Sequence, residues 1–264
     1  MSLVSFASAL EPFGFSTNRS GGHMSRSMML DELLVLQNRC PQSAKRSEFQ
    51  TAIEQDNALG KPTFSSRQKS FRHLVELYGL DPQFALFRNL RLIASVDPQS
   101  LPLCAAICVF CRDPQLRASF DLIASKKEGV IVPRAEMEEH LERIFPGRFS
   151  AAMKKSLAQN VNTTWTVSGH LAGHSKKVRA IPRARFGSVC YAAFAGWLSG
   201  LRGDFLLNSI FANLVAANSG TILSAFRDGS AHGWLRFRSG GGVMEIDFSP
   251  LLNENEIALL HGPH

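Results

Sequence analysis

The fold of this chain is decided by a stretch with three Asp-Pro pairs, which reads LDPQFALFRNLRLIASVDPQSLPLCAAICVFCRDPQLRASFDLIAS from residue 80 to residue 125. The pairs fall at residues 81–82, 97–98 and 113–114. Asp is a favoured N-cap residue and Pro is favoured in the first helical turn, so each pair predicts the start of a helix. Apolar side chains recur at helical spacing after each pair. The stretch therefore predicts consecutive helices of a compact bundle.

Helical patterns continue on both sides of this stretch. The sequence predicts a mainly α fold: a helical bundle, then one or two winged helix-turn-helix-like modules with a short C-terminal β-hairpin. Residues 1–25, with a polar, glycine-rich end, predict a flexible leader. A break near residue 130 predicts an N-terminal helical domain over residues 26–130 and a C-terminal winged-helix-like DNA-binding domain over residues 131–264.

The amino-acid composition is that of a basic globular protein. There are 29 Lys and Arg residues against 22 Asp and Glu, a formal net charge of +7, and 45% of the residues are hydrophobic. This balance favours polyanionic partners such as nucleic acid. The longest apolar run, residues 101–111, is too short to cross a bilayer, so no membrane partner is predicted. Five cysteines without a signal-peptide pattern predict reduced thiols and a cytoplasmic location.

The strongest departure from average composition lies at residues 148–203. This segment carries nine Lys and Arg residues and no Asp or Glu, although the whole chain has 22 acidic residues. Its pattern predicts a helix over residues 149–160, a polar break, and a second short helix over residues 164–172. A basic strand is predicted over residues 175–182. Helix, turn, helix and basic strand is the order of a winged helix-turn-helix.

Candidate DNA contacts follow from this interpretation. Hydroxyl groups hydrogen-bond phosphate oxygens, and Lys and Arg release counterions as they neutralise phosphates. The predicted contacts of the basic segment are Lys154, Lys155, Thr164, Thr166, Ser168, Lys176, Lys177, Arg179, Arg183 and Arg185.

A second basic cluster is formed by Lys61, Arg67, Lys69 and Arg72, with Arg88 and Arg91 beyond it, and its predicted DNA contacts are Arg67, Lys69 and Arg72. It lies near the start of a predicted helix that ends at Gly79. Cations near a helix N-terminus oppose the helix dipole, so their presence there favours a role in binding phosphate as much as a purely structural role.

The sequence offers weak candidates for catalysis. Cys104, Cys108 and Cys111 have the spacing of the iron–sulfur loop of radical S-adenosylmethionine enzymes, but the same spacing lies on one face of a helix, and a core helix is favoured. His170 and His174 have no nearby acid to complete a zinc site. Since no set of acid, base and nucleophile is evident, we expect no enzymatic activity, no metal and no cofactor.

Residues 57–92 resemble the BrxA family, accessory proteins of the BREX bacteriophage-exclusion systems. The shared features are an amphipathic helix over residues 30–36, a polar pattern from Asn57 to Ser65, a basic-aromatic helix over residues 67–77 and the run at residues 112–120. The resemblance spans residues 26–215. It implies a cytosolic helical protein with winged-helix character that binds DNA without catalysis in phage defence.

Two functions remain open from the sequence. In the first, the chain is a phage-defence accessory protein that binds double-stranded DNA mainly through phosphates. In the second, it is an adaptor or scaffold whose basic face binds other proteins of a BREX-like system.

Overall fold

The computed structural model describes residues 6–18, 21–240 and 243–261 of the chain. It confirms a mainly helical fold. The α-helices of these residues are α1 (Leu30–Arg39), α2 (Arg46–Glu54), α3 (Phe64–Tyr78), α4 (Ala85–Val96), α5 (Leu101–Arg112), α6 (Pro114–Ser125), α7 (Arg134–Ile144), α8 (Ala151–Val167), α9 (Phe186–Leu198), α10 (Ile210–Val215), α11 (Ser219–Ala231) and α12 (Glu254–His261). The strands are β1 (Leu171–Ala172), β2 (Val178–Arg179), β3 (Arg236–Gly240) and β4 (Val243–Asp247).

Two apolar helices form the centre of the molecule. In α5 every residue from Leu103 to Cys111 is buried, and in α9 every residue from Gly187 to Leu198 is buried. Helix α9 packs against α4, α5, α10 and α11. A helix that is apolar on all faces is stable only when neighbours surround it, so these two sequences require the bundle that the other helices build.

The hydrophobic core continues across residue 130. One cluster of buried side chains extends from Phe6 to Leu251, and the contacts of α9 with α4 and α5 join its two halves. The Tyr191 hydroxyl also donates a hydrogen bond of 2.9 Å to the carbonyl of Leu86. The change in sequence character near residue 130 therefore marks the start of a substructure that shares a core with the helices before it.

The prediction of a flexible leader over residues 1–25 was wrong for the described part of that segment. Short 3-10 helices cover Ser8–Phe13 and Gly22–Met24, and Phe6, Phe13 and Phe15 are buried in the core. Residues 1–5, 19 and 20 lie outside the described residues. The phenylalanines explain the difference, because burial of large apolar side chains offsets the entropy that ordering a polar, glycine-rich segment costs.

A buried polar network holds this N-terminal segment in place. His23 is fully buried, and both its backbone N–H and its Nδ1 donate to Oδ2 of Asp113, each at 2.9 Å. His23 Nε2 lies 2.7 Å from the Thr164 hydroxyl, which also accepts a hydrogen bond from the Met28 backbone. Burial acts to raise the pKa of Asp113, but the charge and hydrogen bonds of His23 outweigh it and hold the pKa below its ordinary value. The network joins the segment to α6 and α8.

The helix-turn-helix predicted within residues 149–172 is not formed there. Helix α8 runs without interruption from Ala151 to Val167, through the polar residues that predicted a break. The hydroxyls of Thr163 and Thr166 donate to the carbonyls four residues earlier, at 2.8 and 2.7 Å, so they do not compete with the helix. The prediction was wrong because Asn162, Thr164 and Trp165 are buried, and their packing overrides low helix propensity.

The short C-terminal β-hairpin is confirmed. Strands β3 and β4 pair antiparallel, with Arg236 opposite Asp247 and Gly240 opposite Val243. The predicted glycine-rich turn includes residues 241 and 242, which lie outside the described residues. The hairpin is followed by α12, which the sequence patterns did not indicate.

Among the described residues, no helix combines the length and the apolar character that crossing a bilayer requires.

Candidate nucleic-acid interface

Three short extended segments pair beside α8. Strand β2 pairs on one side with β1, where Arg179 lies opposite Leu171. On its other side it pairs with residues 129–132, where Ile131 bridges to Val178. Backbone hydrogen bonds of 2.8 to 2.9 Å run from Gly129 to Arg179, from Arg179 to Val130 and from Val132 to Lys177. Strand β2 is therefore the middle of a three-segment antiparallel arrangement.

Helices α6, α7 and α8 pack against one another next to these segments. Residues 126–133 connect α6 to α7, residues 145–150 connect α7 to α8, and residues 173–177 form the turn between β1 and β2. In chain order the substructure is helix, extended segment, helix, helix, strand, turn, strand. This order starts at α6, two helices before the helix over residues 149–160 with which the predicted order begins.

A groove of about 730 Å³ lies between α8, the start of α7 and the β1–β2 turn. We refer to it as the α8–hairpin groove. Its lining residues are Ile131, Val132, Pro133, Arg134, Gln159, Asn162, Thr163, His174, Ser175, Lys176 and Lys177. Among these residues there is no acidic side chain. The groove therefore presents positive charge and hydrogen-bonding groups together.

Some predicted DNA contacts lie at this groove. Lys176 is exposed and Lys177 is partly exposed, and both line it. Lys177 Nζ donates a hydrogen bond of 2.8 Å to the carbonyl of Gly173, and desolvation lowers the pKa of its ammonium from the ordinary value. Lys155 is exposed on α8, one helical turn before Gln159, which places it on the same side of the helix as the groove.

Three predicted contacts are buried instead. Thr164 is fully buried in the His23 network, and Ser168 is 5% exposed, with its hydroxyl 2.9 Å from Nδ1 of His170. Arg179 is 6% exposed, and its Nη1 donates to the carbonyls of His170 and Ala180. These side chains cannot reach a phosphate in this structure, so their assignment as DNA contacts was wrong.

Other predicted contacts have protein partners. Lys154 Nζ lies 2.9 Å from a carboxylate oxygen of Glu142, and Arg185 Nε lies 2.7 Å from Oδ1 of Asp97, whose side chain is 2% exposed. The Thr166 hydroxyl is bound to the α8 backbone. Arg183 is exposed beyond the end of β2. The acid-free segment therefore uses several of its cations to satisfy acids and carbonyls elsewhere in the fold.

The second basic cluster lies on α3. Lys69 and Arg72 are exposed, while Arg67 is partly buried with its Cζ 5.4 Å from the centre of the Phe64 ring. Lys69 lines a polar depression of about 490 Å³ together with Lys61, which is paired with Glu32 at 2.8 Å. Helix α3 begins at Phe64, and its N-cap Thr63 accepts a hydrogen bond from the Ser66 backbone.

The burial of Arg179 yields a prediction about stability. Replacing Arg179 with Ala removes the charged donor shared by the carbonyls of His170 and Ala180, although the Ala180 N–H still donates to His170, so we expect the free energy of unfolding to fall by roughly 2 kcal/mol. The matched change Arg183→Ala removes an exposed cation and should alter stability by less than about 0.5 kcal/mol. Urea unfolding followed by tryptophan fluorescence measures both. Equal stabilities of the two variants would contradict a structural role for Arg179.

Sequence reasoning missed several groove residues. Gln159, Asn162 and Thr163 fell at the end of one predicted helix and in the predicted break, and Arg134 falls at the predicted domain boundary. A continuous helix over residues 151–167 places residues 155, 159 and 163 along one side, at a spacing of four. That spacing was the signal in the sequence, and the assumed break concealed it.

The cysteines belong to the core. Cys104, Cys108 and Cys111 are fully buried, and burial raises the pKa of Cys104 to about 12 and that of Cys108 to about 11. A thiol with so high a pKa remains protonated near neutral pH and is a poor nucleophile. Among the described residues, no group of three or more His, Cys, Asp or Glu side chains is placed to hold a metal ion.

Comparison with known proteins gave no match: no family model matches the chain, and no curated protein is significantly similar to it.

Proposed function

We propose that this protein binds double-stranded DNA through a winged helix-turn-helix formed by residues 114–179. Helix α6, the segment at residues 129–132, α7, α8, β1 and β2 follow one another in the order of that motif. In this assignment α8 takes the position of the recognition helix and the β1–β2 turn is the wing. The observation that carries the proposal is the α8–hairpin groove, because it lies between these two elements and has a basic, acid-free lining.

The chemistry of the groove suits duplex DNA. Lys155, Lys176 and Lys177 lie where a helix in the major groove and a wing beside it would meet the phosphates of the flanking strands. Phosphate contacts of this kind supply affinity and make it dependent on salt. The resemblance of the sequence to the BrxA family suggests the setting, a non-enzymatic accessory role in a BREX-like phage-defence system.

The proposal predicts salt-dependent duplex binding. A fluorescent duplex of about 30 base pairs with random sequence should bind, and its affinity should fall as salt rises from about 50 to about 200 mM. Each neutralised phosphate contributes about 0.9 to the slope of log affinity against log salt, so four or more cations should give a slope of about −4 or steeper. Fluorescence anisotropy measures it. Absence of binding at the lowest salt would overturn the proposal.

The adaptor function is favoured by a separate observation. Val130 and Ile131 are 42% and 43% exposed and lie next to each other on the outer segment of the three-segment arrangement. Exposed apolar side chains on an edge segment suit a protein partner better than DNA. The Val130→Ser variant separates the two functions, because Val130 belongs to this apolar surface and does not line the α8–hairpin groove.

A further inference from the structure

The floor and the rim of the α8–hairpin groove differ in chemistry. Gln159, Asn162 and Thr163 lie on α8 at positions i, i+3 and i+4, so they share one side of the helix and line the floor. The lysines at residues 176 and 177 belong to the β1–β2 turn and lie across the groove from them. The groove therefore has two carboxamides and a hydroxyl on the helix and two ammonium groups on the turn.

Asn162 has an unusual environment. The residue is 3% exposed and lines the groove, and its Oδ1 has no hydrogen-bond partner among the described residues. By contrast, the nearby Asn160 side chain donates a hydrogen bond of 2.9 Å to the carbonyl of His23. Native proteins rarely leave a buried amide oxygen unsatisfied, and such a group beside a groove points to a ligand that completes its hydrogen bonds.

The type of side chain on the floor of the groove limits which base the site can recognise. A carboxamide offers one donor and one acceptor in a fixed plane, which matches the N6 amino group and N7 of adenine in the major groove. Guanine presents two acceptors there and is matched by Lys or Arg instead. Cations occur on the rim of this groove, where they suit phosphates, whereas the floor that would face a base edge carries amides.

We infer that the α8–hairpin groove reads adenine in the major groove of duplex DNA, with Gln159 as the base-contacting residue. Gln159 is exposed on the groove side of α8, and Asn162 lies on the same side with a buried Oδ1 that can accept a hydrogen bond from an ordered donor when the groove is occupied. Thr163 is exposed beside them, and its methyl group suits the methyl group of the paired thymine. This inference rests on the proposed DNA binding and adds sequence preference to it.

The test uses DNA duplexes in which a single hydrogen-bond acceptor, N7 of one purine base, is removed. Duplexes enriched by the wild-type protein from a random pool are resynthesised with 7-deazaadenine, which lacks N7 but keeps Watson–Crick pairing, or with 7-deazaguanine as the control base. We expect 7-deazaadenine at one position to weaken binding by about 5- to 100-fold, the range for loss of a good bidentate contact, and 7-deazaguanine to have little effect.

Variants assign the effect to named side chains. Gln159→Ala removes an exposed amide, so it should fold normally and lose most of its discrimination against 7-deazaadenine while keeping its salt dependence. Asn162→Ala removes the buried amide beneath this contact and should lose part of the discrimination, and its thermal unfolding is measured to confirm that it folds. The matched control is Gln68→Ala, which removes an exposed amide from α3 and should retain full discrimination.

The outcomes separate this inference from the proposed function. Salt-dependent binding that is equal for adenine and 7-deazaadenine overturns adenine reading and leaves DNA binding in place. An enriched pool that depends on N7 of guanine overturns it as well. Failure to bind any duplex at low salt overturns both.

Discussion

A chain that begins at Met24 is expected to lose its cooperative thermal unfolding transition. The truncation removes Phe6, Phe13 and Phe15, each of which is buried. The ring of Phe6 lies 4.8 Å from that of Phe15 and 6.4 Å from that of Phe211, so its loss opens the core next to α10. Each buried phenylalanine removed costs roughly 3–5 kcal/mol, and a domain has only about 5–15 kcal/mol of net stability.

The same truncation removes His23 and leaves a buried charge without its partner. The Asp113 side chain is 2% exposed and keeps a lowered pKa while His23 donates to it. Removing one member of a buried, hydrogen-bonded pair costs about 3–5 kcal/mol. The single variant His23→Ala is therefore expected to lower the free energy of unfolding by about that amount.

Circular dichroism in the near and far ultraviolet against temperature measures both changes. The matched control is Ser25→Ala, which alters an exposed residue of the same segment and should leave the midpoint nearly unchanged. A truncated chain with the wild-type midpoint would show that residues 6–23 are not part of the folding unit.

The sequence predicted the helices that carry their own start and stop signals. Asp113 caps α6 as its Asp-Pro pair indicated, and it accepts hydrogen bonds from the backbones of Gln115 and Leu116. Gly79 ends α3 with a φ of 84°, as a C-terminal glycine predicts. These features depend on neighbours within a few residues, so the sequence alone contains them.

Features that depend on distant neighbours were missed. Gly21 and Gly22 indicated flexibility, but a Cβ at Gly21 would lie 2.2 Å from the Asp113 carboxylate, and one at Gly22 would lie 2.8 Å from the Leu77 side chain. These glycines allow close packing of the N-terminal segment. Their role depends on α3 and α6, which lie far along the chain.

The candidate site was predicted only in part, because the burial of its side chains also depends on distant neighbours. An acid-free segment shows where positive charge is concentrated, and Lys155, Lys176 and Lys177 follow from it. It does not show which cations are buried, and the contacts that bury Arg179 come from residues 129–132 and from His170. A count of charges in the sequence therefore overestimates the number of cations that can reach a ligand.

Removal of the lysines in and beside the α8–hairpin groove is expected to have the largest effect on duplex binding. In the Lys155→Ala Lys176→Ala Lys177→Ala variant three cations are lost, so the slope of log affinity against log salt should become shallower by about 3. At about 0.1 M salt this corresponds to a loss of affinity on the order of 1000-fold. Anisotropy titrations with the same duplex at several salt concentrations measure both quantities.

Two further variants determine whether this loss is specific to the groove. The matched triple Arg39→Ala Arg46→Ala Arg227→Ala removes the same charge from exposed positions on α1, α2 and α11, and it should change the slope by well under one unit if DNA contacts the groove.

The Lys69→Ala Arg72→Ala variant tests the α3 cluster. If that pair flattens the slope by about 2 while the groove triple leaves it unchanged, DNA contacts α3 and the assignment of α8 as the recognition helix fails. A similar loss in all variants would mean that only net charge attracts DNA, because a defined interface makes the effect of a cation depend on its position.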